Sequence, residues 1–396
     1  MVRPDNTAIE VVKAEVETLS QWLRRNALPL QLRLGLDRER GGFFERMGQN
    51  GVPVSDDNRR ARVQPRQVYC FAMAKKIGLP GDWAEGIESG LACFEQVYRL
   101  PSGIFGALAN CDGTLIDDSF DLYNQAFALF GYAAVAQVYP ARQAEMREKA
   151  ETLLDSLIRV YHHPVAGFEE DMPVKLPLCS NPHMHLFEAC LAWNEILKGQ
   201  GPWGGMADEI ANLAMDHFID PVSGGLREFF DHDWAPYPGE KGRIMEPGHQ
   251  FEWAWLLTRW GQLRGNAKAL SKAKAMFRIG EDFGLSADRH VAIMSLYDDF
   301  TVHDSLARLW PQTEWLKASL RLASLSEGDA REAYLQSAIR ACKALGLFLQ
   351  TPIKGLWFDK LPDTGVMVDE PAPASTFYHI VCAILEAEDM LTLLRA

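Results

Sequence analysis

Gly41-Gly42-Phe43-Phe44-Glu45 is the first of a series of short apolar segments that each follow a glycine turn, and that series decides the fold. It returns as Ser102-Gly103-Ile104-Phe105, Ala166-Gly167-Phe168-Glu169, Gly224-Gly225-Leu226-Arg227 and Lys354-Gly355-Leu356-Trp357-Phe358. With Gly42, Gly103, Gly167, Gly225 and Gly355 as anchors, the gaps are 61, 64, 58 and 130 residues. The last gap is two periods long, and its missing anchor falls near Arg289-His290-Val291-Ala292, which has no glycine. A period of about 63 residues thus runs six times through the chain, the mark of a repeat architecture.

Beyond each segment lies a second turn. Gln49-Asn50-Gly51, Asp112-Gly113 and Asp363-Thr364-Gly365 put Asn or Asp just ahead of Gly, which suits turns that need positive φ. At least these three repeats are expected to carry a small β-hairpin. The roughly 45 residues between hairpins hold two helices of ordinary length. Some stretches are amphipathic, as at Val11, Val16, Leu19 and Leu23, and at Ala150, Leu153, Leu154, Leu157 and Ile158. The stretches after the hairpins, 127–138, 187–196, 251–260 and 377–387, are apolar nearly all round, so they are buried on most sides. Six amphipathic helices alternating with six buried ones predict an all-α (α/α)6 barrel, with the buried set as an inner ring. Closure removes the ends that an open α-solenoid, the competing reading, must cap. No linker or low-complexity run divides the chain, so residues 1–396 are read as one domain.

Composition narrows the partners. The chain is 47% hydrophobic and 23% charged, as in ordinary globular proteins. A net charge of -13 argues against a nucleic-acid partner, which calls for a basic face. It also gives no attraction to an anionic membrane. Seven cysteines without CxxC spacing point to reduced thiols and a cytoplasmic protein. Met1 to Glu17 lacks an apolar core of the secretory kind. The longest apolar stretch, Ala126 to Ala136, is far short of the ~20 residues a bilayer needs. Leu393-Leu394-Arg395-Ala396 matches no retention or lipidation signal.

In a helical toroid the first turns of the inner helices can surround one axial pocket, and here those turns are polar. They carry Gln64, Arg66 and Gln67, then Tyr123, Asn124 and Gln125, then Asn181-Pro182-His183-Met184-His185-Leu186-Phe187-Glu188. Pro247-Gly248-His249-Gln250-Phe251-Glu252, Trp310-Pro311-Gln312-Thr313-Glu314 and Ser375-Thr376-Phe377-Tyr378-His379 complete the set. His185 and Glu188 are three apart, as are His249 and Glu252, and one repeat separates the pairs. A gap of three puts both side chains on one helix face, where a carboxylate can fix an imidazole's tautomer. His185, His249 and His379, with two Glu and Arg66, read as an acid–base cluster. His183 with His185 raises a metal site, but positions i and i+2 diverge on a helix and no HExxH motif is present. The expectation is no metal. His162-His163 read as solvated or C-capping, and Asp117-Asp118 and Asp298-Asp299 as loop or cap residues. Phosphate-binding GxxxxGK and hydrolase GxSxG motifs are absent.

At these residues the chain resembles the N-acylglucosamine 2-epimerase family, which includes N-acylglucosamine and cellobiose 2-epimerases and mannose isomerases. The segments carrying the resemblance are Gln64-Pro65-Arg66-Gln67, the stretch from Asn181 to Ala189, that from Pro247 to Trp253, Trp310 to Glu314, and His379. The resemblance implies an (α/α)6 barrel and catalytic histidines at His249 and His379. It implies substrate-binding roles for Arg66, His185, Glu188, Arg243, Glu252 and Trp310, with Glu252 as carboxylate partner. Pro371-Ala372-Pro373-Ala374-Ser375-Thr376 is more similar to the mannose-isomerase branch. The chemistry implied is cofactor-independent proton transfer at C1 and C2 of an open-chain aldose through a cis-enediol(ate). His379 would carry the carbon proton, His249 would open the ring or act as second acid–base, and Arg66 would steady charge on O1. The partner implied is a monosaccharide, with a disaccharide as alternative, and a homodimer is the expected assembly. Two rivals stand beside this reading. One is N-acylglucosamine or cellobiose 2-epimerisation. The other is an (α/α)6 glycoside hydrolase or a sugar-binding module, the hydrolase needing a carboxylate pair about 5–10 Å apart.

Overall fold

Six helix pairs alternate along the chain, in a computed structural model that describes residues 5–394. The remaining terminal residues, Met1–Pro4 and Arg395–Ala396, fall within the segments read above for targeting signals and lie outside the described residues. The helices are α1 (Asp5–Trp22), α2 (Val63–Lys76), α3 (Trp83–Cys93), α4 (Leu122–Val138), α5 (Gln143–Tyr161) and α6 (Ser180–Ile196). They continue as α7 (Trp203–Leu213), α8 (Pro247–Arg264), α9 (Ala267–Phe283), α10 (Leu309–Ala323), α11 (Gly328–Phe348) and α12 (Ala374–Leu393). Even-numbered helices form the inner ring and odd-numbered ones the outer. Local sequence sets several starts. Asp82, Asp121 and Asn266 accept hydrogen bonds from the first-turn amides of Glu85, Tyr123 and Ala269. Pro247 opens α8, and Gly265 ends it at φ +61°.

The inner helices contact one another in cyclic order, and α12 packs on both α2 and α10, so the ring closes. Each of the first five inner helices also lies against the outer helix that follows it, and α1 covers the seam by packing on α11 and α12. The barrel expected from the repeat is the fold observed. Most of its apolar interior is one contiguous cluster that runs from Ala8 to Leu391, beside a small second one of Leu30, Met47 and Leu356.

The turn glycines sit where the period places them. Gly41 and Gly224 have φ of +84° and +77°, and each donates its N–H four residues back, to Asp37 and Asp220. In the fifth repeat His290 takes that place at φ +56°, donating to Ser286. The missing glycine is thus a histidine in the left-handed conformation, a region L-residues enter at a cost. The second turns at Gly51, Gly113 and Gly365 have positive φ as expected. The longest hairpin, however, is in the fifth repeat, pairing Ile293–Tyr297 with Val302–Arg308. Its turn has no glycine, and Phe300 supplies the positive φ, +66°.

Short strands stitch successive hairpins together at the mouth of the ring. Arg59–Arg60 pairs with Leu108–Ala109, Leu178–Cys179 with Phe229–Phe230, and Ile244–Met245 with Tyr297 and Leu296. Arg308 and Ala307 pair with Lys360–Leu361, and Arg46–Met47 pairs with Pro373 and Ala372, joining first repeat to last. Among the described residues no helix is long and apolar enough to cross a membrane.

Candidate active site

A buried side chain in the first turn of an inner helix fixes five of the six hairpins above their helices, and in four of them it is a glutamine. Gln64, Gln125, Gln250 and Gln312 each accept the backbone N–H of Phe43, Phe105, Leu226 and Ala292 and donate to the same residue's carbonyl. In the third repeat His183 replaces the glutamine. Its Nε2 accepts from Phe168 N–H, and its Nδ1 donates to the Cys179 carbonyl. Both ring nitrogens are therefore engaged, which removes His183 as a metal ligand.

This pin sets a common register for five of the six inner helices, and Phe377 occupies its place in the sixth. Two positions further on stand Arg66, Phe127, His185, Glu252, Glu314 and His379, which meet around the axis. Arg66 stacks on Phe127 at 4.0 Å, Phe127 lies 4.6 Å from the His185 ring, and His185 Nδ1 is 3.9 Å from Glu252. His379 Nδ1 donates to Glu314 at 2.9 Å. One turn deeper lie Tyr69, Phe130, Glu188, Trp255, Lys317 and Cys382. They separate the site from a wider cavity of about 1080 Å3 at the opposite end, whose lining has no histidine.

The site itself is a cavity of about 440 Å3 lined by Arg66, His185, His249, Glu252, Trp310 and His379, among others. The two histidines on either side of Trp310 face opposite electrical surroundings. The indole lies 5.0 Å from the His249 ring and 5.8 Å from His379. His249 Nδ1 donates to Glu228 at 2.9 Å and lies 3.6 Å from Glu246. Burial opposes the charged ring, but these carboxylates prevail and raise its pKa to about 10. His379 is held well below 6.5, first by burial and then by the nearby charges of Arg66 and Lys317. His249 is thus cationic near neutrality while His379 is neutral, with no partner for its Nε2 among the described residues. His185 is pushed down to about 3 by burial, against its bond to Glu188. Glu188 also accepts from the Tyr378 hydroxyl, and its pKa falls to about 2 because these hydrogen bonds and Lys317 outweigh burial. Burial raises Glu252 well above the ordinary carboxylate value, and neither of its oxygens has a hydrogen-bond partner.

Most of the residues singled out from the sequence meet here: Arg66, His185, His249, Glu252, Trp310 and His379 line the cavity, and Glu188 supports it from below. Arg243 does not. It is 44% exposed in its side chain and paired with Asp298 and Asp299, outside the cavity. That ion pair also accounts for the two aspartates. Glu252 is not the hydrogen-bond partner of His249; Glu228 is. The spacing of three misled because the pins align His185 with Glu252, which leaves His249 a turn nearer the hairpin, where Glu228 projects. His162 is bonded to Glu209, and His163 to the His232 carbonyl. Glu228, Glu246, Arg308 and the role of Glu314 were missed. A signal existed for the first, since Glu45, Glu169, Glu228 and Asp359 all follow a turn glycine closely, and all are buried. Two groups within the cluster, His185–Glu188–Glu252 and Glu252–Glu314–His379, bring possible ligand atoms within 4.8 Å of one another. The Lys317 ammonium already stands 2.6 Å from Glu314 there.

Three comparisons bear on this geometry. The model of the N-acylglucosamine 2-epimerase family matches residues 42–383. A mannose-6-phosphate isomerase from Rhizobium meliloti (strain 1021) is 60% identical over 375 residues, 94% of this chain and 96% of that one. The solved cellobiose 2-epimerase from Spirochaeta thermophila DSM 6192 superposes with a TM-score of 0.85 at 21% identity, covering 100% of both chains, a likeness of fold.

Proposed function

The chain belongs to the N-acylglucosamine 2-epimerase family of sugar isomerases and epimerases, and on that premise we propose that it interconverts an aldose and a ketose of the mannose–fructose kind. The observation that carries this reading is the pair of imidazoles on either side of Trp310, one kept cationic and the other neutral. Environments that push two titrating groups apart assign the acid and the base. Neutral His379 Nε2 takes the proton from C2 of the open-chain aldose, and the C1–C2 double bond forms. The His249 cation delivers a proton to O1, while Arg66 adds positive potential. His249 then takes the proton from the C2 hydroxyl, and His379 returns its proton to C1, leaving the ketose. Two-base epimerisation would use the same pair, with the His249 cation giving its proton to the other face of C2, so the charge states serve both outcomes. The relative named a mannose-6-phosphate isomerase favours the isomerase.

The arginines at the mouth support an unphosphorylated hexose. Arg60 is paired with Glu45, Arg62 with Asp121 and Arg308 with Asp359, so none is a free partner for phosphate. The Rhizobium relative's name favours the other reading, a hexose 6-phosphate for which these pairs would open. The seven free cysteines support a reducing, cytoplasmic setting. A homodimer is part of the proposal.

Incubation with mannose, fructose and their 6-phosphates in D2O, followed by chromatography and NMR, tests the reading. The expected result is mannose–fructose exchange, with deuterium at C1 of fructose. His379→Ala and His249→Ala should each lower kcat by at least about 100-fold, the scale of a lost general acid or base. A 2-epimer as main product, or near-normal turnover in either variant, would overturn it.

A further inference from the structure

One buried ionisable group beneath the site is untouched by the proton transfers. Lys317 is wholly buried, one turn below Glu314 on α10. Its Nζ lies 2.6 Å from Glu314 Oε2, 3.7 Å from the Trp255 ring centroid and 3.9 Å from Cys382 Sγ. The lysine does not line the cavity. The other end of the same carboxylate does reach the site, because Glu314 Oε1 accepts from His379 Nδ1 at 2.9 Å and from the Thr313 hydroxyl at 3.1 Å. Lysine, carboxylate and imidazole therefore form one line from sealed core to open cavity.

We propose that Lys317 is a positioning residue for His379: its ammonium keeps Glu314 a carboxylate, and Glu314 keeps the ring with Nδ1 protonated and Nε2 open to the sugar. This rests on the isomerase reading above, in which Nε2 is the base. A carboxyl buried among other carboxyls takes up a proton unless a cation stands against it. Around Glu314 and Lys317 the charged groups facing inward are Glu188 and His185 from α6, Glu252 from α8 and Arg66 from α2. Cys382 and His379 face them from α12. Arg66 stacks on Phe127 and donates to the Ser375 carbonyl, so Lys317 is the cation in direct contact with Glu314. Burial pushes Glu314 above the ordinary carboxylate value, and Lys317, the largest opposing influence, pulls it part of the way back. Without the lysine, Glu314 becomes a neutral acid that can donate to Nδ1. The His379 tautomer then reverses, Nε2 carries the proton, and it cannot accept one from carbon. A wrong tautomer in a comparable acid–base unit costs up to about 10,000-fold.

The test is Lys317→Met, close in length and uncharged, assayed for mannose–fructose exchange across pH. The expected result is a fall in kcat of at least about 100-fold at pH 7, with KM within about twofold, because the lysine touches no substrate. Activity should recover partly as pH rises and Glu314 ionises, so the acid limb moves up. A folded variant, judged by circular dichroism, with unchanged kcat or an unmoved pH profile overturns the proposal. Should Lys317→Met fail to fold, 15N NMR of histidine-labelled wild-type protein decides instead, with His379→Gln used to assign the signal. Nδ1 protonated at neutral pH supports the relay, and Nε2 protonated overturns it. Absence of any exchange by the wild-type enzyme counts against the isomerase reading alone, since the ring tautomer is measured without substrate.

Discussion

His249 and His379 are the same side chain in two settings: each Nδ1 donates to a glutamate at 2.9 Å, and the difference lies in the charges around that pair. Near His249 the carboxylates of Glu228 and Glu246 outnumber any cation in contact. Around His379, burial adds to the fields of Arg66 and Lys317. The sign follows for activity. The base form of His379 survives at pH 7 and is lost only well below 6.5. The acid form of His249 survives until the pH nears about 10. A plot of kcat/KM against pH should therefore be broad, with its alkaline limb near 10. Glu228→Gln removes one of the charges raising His249. That limb should move down by about 1–2 in pH, in the range of a single neighbouring charge, while the acid limb stays in place. An alkaline limb unmoved in this variant would mean that Glu228 does not set the charge of His249. The histidines were legible in the sequence because they recur in inner-helix first turns. Their partners were not, because Glu228 lies 21 residues before His249 and arrives through the fold. Arg243 failed for a related reason, since nothing in the sequence shows Asp298 and Asp299 waiting for it.

At the scale of the element, the pin between hairpin and inner helix organises the site. It satisfies an N–H and a C=O that burial would otherwise leave unpaired, and it sets which residues reach the axis. The glycine series that revealed the repeat marks the hairpin side of this joint. The helix side was hidden by one substitution, because His183 looks like a ligand when it is a glutamine equivalent. Its surroundings confirm the fit: Phe168 N–H approaches Nε2 at 2.9 Å, and an added Cβ on Gly167 would come within 2.8 Å of the same nitrogen. His183→Gln should therefore keep the fold within about 1 kcal/mol, since glutamine meets the same need in four other repeats. His183→Ala leaves buried amide and carbonyl groups unpaired, at about 1–3 kcal/mol for each group. Denaturant midpoints at unchanged m-value check both. Equal losses in the two variants would mean that His183 does something glutamine cannot.

For the whole molecule, closure distinguishes this ring from a solenoid with the same repeat. The last repeat meets the first at several points: the Ala374 amide donates to the Glu45 carbonyl, Arg46 and Met47 pair with Pro373 and Ala372, and Arg24 and Ser20 reach Glu388. In an open array, stability is a sum of local terms, and a weakened end repeat unfolds ahead of the rest. In a closed ring that repeat has a neighbour on both sides, so damage there is shared. Phe377 is fully buried at the top of α12 and stacks on Trp357 at 5.3 Å with ring planes 4° apart. Phe377→Ala should cost about 3–5 kcal/mol through lost burial and the cavity left behind. Eleven tryptophans spread from Trp22 to Trp357 make fluorescence a probe of nearly every repeat, while circular dichroism reports helix everywhere. Both signals should move together to one lower transition in the variant. An early, partial loss of helix with the remaining transition unmoved would mean that the last repeat unfolds alone and that the seam between α12 and α2 does not couple the ends.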